Sequence, residues 1–82
     1  METLLDVLKV KARAGYILEL EFENGEHRVF DMSPYMSKRP FDRLKDSSAF
    51  YGAHVDYGTV VWPGNIDIAP ETLYDGSIPL TD

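Results

Sequence analysis

Eighty-two residues, 44% of them hydrophobic and 27% charged, have the balance of one soluble globular domain and exclude a disordered tail. The chain has no cysteine, which excludes disulfide staples and thiolate metal sites and suits a reducing cytoplasm. The net charge of −6 is lopsided, because all eight basic residues lie between Lys9 and Lys45 while residues 46–82 hold six acids and no Lys or Arg; that half disfavours phosphate binding and attracts a basic partner.

The stretch Met1-Glu2-Thr3-Leu4-Leu5-Asp6 carries acids where a signal peptide carries positive charge, and no apolar run approaches the roughly 20 residues of a bilayer span. The expectation is a cytoplasmic protein, neither exported nor membrane-bound. From Leu8 to Arg13 the chain alternates, with Leu8, Val10 and Ala12 on one side and Lys9, Lys11 and Arg13 on the other, the period of a half-buried strand. Tyr16, Leu18, Leu20 and Phe22 repeat it, with Glu19, Glu21 and Glu23 between them. Matching apolar to apolar needs paired positions with an even sum, such as Val10 with Leu18 and Lys9 with Glu19. The spacing therefore predicts a connection with an odd residue count or a bulge, with Gly15 in the left-handed conformation.

Asn24-Gly25 predicts a two-residue type I′ turn, both residues tolerating positive φ. That loop would set Leu20 against Val29, Glu21 against Arg28, Glu23 against Glu26 and His27 against Phe22. After Asp31, Ser33-Pro34 and Ser37-Lys38-Arg39-Pro40 read as turn or a short helical bend. Phe41, Leu44 and Phe50 share one face of one or two short helices, capped by Asp46 or Ser47 and stopped by Gly52. Ala53 to Asp56 and Thr59 to Trp62 predict two strands around Tyr57-Gly58. A short Ile66-Asp67-Ile68 strand follows, then a helical turn opened by Pro70, with Glu71 at its positive end.

The expected fold is α+β: a small antiparallel sheet, β-β-β-α-β-β plus a short C-terminal strand and helical turn, covered on one face by one or two short helices. Residues 1–75 form the domain in this reading, and 76–82 a flexible tail. Trp62, the only tryptophan, is expected to bury about 200 Å² under the final helical turn. Asp67 lies opposite in phase to Ile66 and Ile68, so it either points to water or accepts backbone N–H groups of the Pro63 to Asn65 turn; the second is favoured, since an unpartnered buried carboxylate is costly.

The hairpin ending Phe22-Glu23-Asn24-Gly25-Glu26, then Asp31, the run Phe41-x-x-Leu44-Lys45-Asp46-x-x-x-Phe50 and the closing Trp62-Pro63-x-x-Ile66-Asp67-x-x-Pro70-Glu71-x-Leu73-Tyr74 together resemble the bacterial domain of unknown function family 2442. The resemblance runs from about Leu8 to Tyr74, and the closing motif is its specific part. Gly64-Asn65 stands where many relatives have Asn-Gly, so the local turn type does not carry over. The resemblance implies an α+β fold and no particular activity. It also implies a neighbourhood, since members often lie beside another small protein in arrangements resembling toxin and antitoxin pairs, and some continue into a helix-turn-helix domain.

Read for chemistry, the residues offer no specific motif. His54 and Asp56 share a strand face, but a zinc or iron site wants three or four ligands, with His27 or Asp31 brought in by folding. Asp67 and Glu71 pair as acid and base only if folding places them around a pocket. Tyr35, Tyr51, Tyr57 and Tyr74 would need a basic groove beside them to bind single strands, and only Lys9, Lys11 and Arg13 with Lys38 and Arg39 could supply one. The reading favoured is a non-catalytic interaction domain without metal or cofactor, an antitoxin-like partner of a small, basic neighbouring protein, as monomer or homodimer. Asp56, Asp67, Glu71, Tyr74 and Asp75 are the proposed contact residues. The alternative is a DNA-binding or regulatory module using the basic first hairpin.

Overall fold

The computed structural model describes residues 5–80. Seven strands form two antiparallel sheets: β1 (Val7–Arg13), β2 (Ile17–Phe22), β3 (His27–Asp31) and β7 (Ile78–Pro79) in the order β1-β2-β3-β7, and β4 (His54–Asp56), β5 (Thr59–Trp62) and β6 (Ile66–Ile68) in sequence order. Two 3-10 segments, Ser33–Tyr35 and Phe41–Leu44, and two short helices, α1 (Ser47–Phe50) and α2 (Pro70–Gly76), complete the α+β fold. One buried cluster joins all of these parts: Val7, Leu18, Leu20, Phe22 and Phe30 from the first sheet, Val60, Trp62, Ile66 and Ile68 from the second, and Leu44, Phe50 and Leu73 from the helical pieces.

The first hairpin follows the even-sum rule. Arg13 pairs with Ile17, leaving the odd loop Ala14-Gly15-Tyr16 with Gly15 at φ 83° and Tyr16 also left-handed at 62°. The individual partners differ from those expected, Val10 facing Leu20 and Lys9 facing Glu21. A register shift between Val7 and Lys9 then turns Leu8 out to solvent and lets Val7 enter the core, so one bulge reverses the expected phase at the strand's start.

The second hairpin corrects the expected register. Glu21 faces His27 and Leu20 faces Arg28, with Glu23-Asn24-Gly25 as a three-residue loop. Gly25 alone in that loop takes positive φ, at 90°, and donates its N–H to the Phe22 carbonyl at 2.9 Å. Asn24 contributes through its side chain instead, Oδ1 accepting the Glu26 N–H at 3.0 Å. The one-residue slip moves every β3 side chain to the opposite face from the one a two-residue loop dictates. Phe30 and Met32 become buried, Val29 turns outward, and Arg28 points to the core side. Two large apolar groups outweigh one valine.

The type I′ turn forms elsewhere. Asp56 pairs with Thr59, and Tyr57 and Gly58 between them both have positive φ, 53° and 74°. Glycine suits position 58 twice over, since φ there is 74° and an added Cβ would sit 2.6 Å from the Asp6 carboxylate; the Gly58 carbonyl accepts the Val7 N–H at 2.8 Å. This junction ties the edge of the first sheet to the second.

Between the sheets, Asp31 Oδ1 accepts the Ser33 N–H at 2.8 Å and so starts the first 3-10 segment. Asp46 caps α1 as expected, its Oδ1 accepting the Ser48 N–H at 3.0 Å, and Gly52 ends the turn by donating to the Ala49 carbonyl. Trp62 is 0% exposed, with ring neighbours Phe41 and Phe50 at 6.2 and 6.1 Å. Its indole N–H donates to the Phe50 carbonyl at 2.9 Å, so it locks the 41–50 segment, a different role from roofing beneath the final turn.

Residues 76–80 are not a loose tail. After α2 the chain lays Ile78 against Val29 and Pro79 against Arg28, and Leu80 donates its N–H to the His27 carbonyl at 2.7 Å. The expected tail fails because β3 would otherwise present an unpaired backbone edge, which residues 78–80 satisfy. Residues 81–82 lie outside the described residues.

Candidate functional site

Four of the five proposed contact residues fall into two groups, and Tyr74 lies apart from both. Asp56 and Asp67 lie on the outward side of the second sheet, where His54, Val61 and Asp67 line up across its three strands and Asp56 pairs with Thr59. Asp67 is exposed between buried Ile66 and Ile68, and among the described residues it accepts no hydrogen bond from the Pro63 to Asn65 turn. The turn needs none, because Gly64 and Asn65 hold positive φ by themselves. Glu71 and Asp75 are exposed on α2, one helical turn apart. Tyr74 is not with them: it turns inward, toward β3.

There it meets a charged cluster that sequence reasoning missed. Arg28, brought to the core side by the three-residue loop, has a side chain only 13% exposed. Its Nε donates to Ser77 Oγ at 2.6 Å, one terminal nitrogen donates to the Ser77 carbonyl at 2.9 Å and the other to Glu26 Oε1 at 2.6 Å. The guanidinium carbon lies 4.4 Å from the centre of the Tyr74 ring, a cation–π contact. Glu26 Oε2 accepts the Tyr74 hydroxyl at 2.7 Å and Asn24 Nδ2 at 2.8 Å, and Ser77 Oγ donates to the Tyr74 carbonyl at 2.9 Å. Four pieces of chain, the β2–β3 connection, β3, α2 and Ser77 between α2 and β7, are thereby clasped together. A signal for it existed: Phe30 and Met32 share a phase that forces Arg28 inward, and an inward arginine must find acceptors.

The cluster favours the charged form of Glu26 and the neutral form of Tyr74. Glu26 is held below the ordinary glutamate value of 4.5, chiefly by the Tyr74 hydroxyl and then by Arg28, while Tyr74 is held above 10.0, chiefly by its bond to Glu26 and then by partial burial. Both move away from neutrality, the opposite of what general acid–base work needs. The sign of each shift gives a stability profile. Glu26's contribution is complete above 4.5 and is lost as pH falls through its lowered folded value; that of Tyr74 is complete below 10.0 and is lost as pH rises through its raised one. Urea midpoints across pH are therefore expected to fall at both extremes, and Tyr74→Phe is expected to abolish the tyrosine part of the alkaline fall.

Among the described residues no three His, Asp or Glu side chains gather closely enough to hold a metal ion. The His54 ring instead lies 3.0 Å from the Gly52 carbonyl. No helix in the described residues is long and apolar enough to cross a membrane.

No curated protein and no solved structure matches the chain. One family does match, described as Protein of unknown function (DUF2442), over residues 7–79. That span includes every strand of the described residues, the clasp and Trp62. The chain therefore belongs to the DUF2442 family.

Proposed function

We propose that this chain is a small, non-catalytic protein-interaction domain that receives a basic protein partner on the exposed acids of its C-terminal half. The distribution of ion pairs carries the reading. Lys9 pairs with Glu21, Arg13 with Glu19 and Arg28 with Glu26, all within residues 9–28. Asp56, Asp67, Glu71 and Asp75 are exposed and, among the described residues, have no cation beside them. Their field is not neutralised internally, so it is available for steering a partner of opposite charge. An antitoxin-like role toward a small neighbouring protein is one form of this reading. The DNA-binding alternative draws less support, since two cations of the basic hairpin are already held by glutamates of β2.

Co-expression with the protein encoded next to this one tests the proposal. Retention at low salt is expected, weakening as salt rises. The variant Asp56→Asn, Asp67→Asn, Glu71→Gln, Asp75→Asn is expected to bind roughly tenfold more weakly with its urea midpoint unchanged, because rim charges contribute affinity and little stability. Absence of retention at low salt would count against it, as would a variant that binds as tightly as the parent.

A further inference from the structure

We infer that Asn24-Gly25 is a self-modification site, in which conversion of the Asn24 amide to a carboxylate opens the Glu26–Arg28–Tyr74–Ser77 clasp. The reaction needs only water. The Gly25 backbone nitrogen attacks Cγ of Asn24, forming the C–N bond of a five-membered imide; the Cγ–Nδ2 bond breaks, and ammonia leaves with the proton that the Gly25 nitrogen gave up. Water then adds across either imide carbonyl and yields aspartate or isoaspartate. Glycine suits the attacking position because it lacks a side chain to hinder the approach, and here nothing lies within 4 Å of where a Cβ would be. Both residues are exposed, so water has access.

Folding ties down both reacting groups. The Gly25 N–H is bonded to the Phe22 carbonyl at 2.9 Å. The Asn24 side chain is held at both ends, Oδ1 by the Glu26 N–H at 3.0 Å and Nδ2 by Glu26 Oε2 at 2.8 Å. Attack requires the first bond to break and the amide to swing away from Glu26. The intact loop therefore slows the step, and opening of the loop releases it.

The product acts on the clasp because Glu26 Oε2 is shared. That oxygen accepts from Asn24 Nδ2 and from the Tyr74 hydroxyl together. Aspartate at position 24 replaces a donor with a second anion at hydrogen-bond distance from the first, and the two carboxylates must separate. Isoaspartate goes further, since its extra backbone carbon breaks the three-residue loop that sets the register of β3. Either product loosens the hold on α2 and β7, which the exposed acids Glu71 and Asp75 depend on for their placement.

The test uses the full chain, kept in mildly alkaline buffer and sampled by intact mass and peptide mapping, which separates aspartate from isoaspartate at position 24. Conversion in the folded protein is expected to be about tenfold or more slower than in the same chain unfolded by urea, the protection that two or three ordinary hydrogen bonds supply. Glu26→Ala, which removes the Nδ2 acceptor, is expected to convert several-fold faster than the parent while folded. Asn24→Asp is expected to lower the urea midpoint, and Asn24→Ser, which keeps a neutral acceptor for the Glu26 N–H, to lower it less. Equal conversion rates in the folded and unfolded chains would overturn the protective geometry. An Asn24→Asp chain as stable as the parent would overturn the link to the clasp.

Discussion

Trp62→Ala is expected to leave the chain without a cooperative unfolding transition at ordinary temperature. The side chain is fully buried and packs against Phe41 and Phe50, so truncation removes the largest body in the core and opens a cavity. Such changes cost about 3–5 kcal/mol. A cysteine-free domain this small has about 5 kcal/mol in all, so the loss takes most of it. The hydrogen bond separates packing from polarity: Trp62→Phe keeps much of the volume but removes the 2.9 Å indole donor of the Phe50 carbonyl, which then keeps only the Ala53 N–H at 3.2 Å. That variant is expected to fold and to lose about 1–3 kcal/mol, read as a lower urea midpoint with an unchanged slope.

Arg28→Ala is expected to cost about 2–3 kcal/mol, a large effect for a polar side chain. The side chain joins Glu26, Tyr74 and Ser77, and its loss leaves the carbonyl and hydroxyl of Ser77, itself buried, without their arginine donors. Arg28→Lys is not expected to restore stability. A guanidinium donates in three directions from one plane, here to two residues of different segments while stacking on an aromatic ring, and an ammonium cannot reproduce that fork. Thermal melts of the three chains check both statements, the lysine variant falling with the alanine variant.

Much of the fold was legible because local rules and core burial agreed. The even-sum argument for the first hairpin, the Tyr57-Gly58 turn, the Asp46 cap and Pro70 at the head of α2 all appear in the structure. Asn24-Gly25 misled because the dipeptide rule describes a backbone preference, whereas Asn24 here spends its side chain on the Glu26 N–H and leaves positive φ to Gly25. Weighing Phe30 and Met32 against Val29 would have given the right register, and Arg28 would have followed. The β1 bulge and the β7 pairing were harder to see. Leu8 and Val7 are both apolar, so pattern alone does not choose between them, and Ile78–Pro79 is too short for a periodic signal. Of the candidate surface, the exposure of Asp56, Asp67, Glu71 and Asp75 was readable from phase; the inward turn of Tyr74 was not, because it depends on a partner in a strand 46 positions earlier, Arg28.

Arg28 and Ser77 hold the end of the chain onto β3. Amide hydrogen exchange followed residue by residue at Leu80 tests this directly, because that N–H is bonded to the His27 carbonyl at 2.7 Å. Leu80 is predicted to be protected in the parent and to exchange freely in Arg28→Ala, while the amides of Leu18 and Leu20 in the central strand stay protected in both. A parent chain whose Leu80 amide exchanges as fast as an unstructured peptide would contradict it.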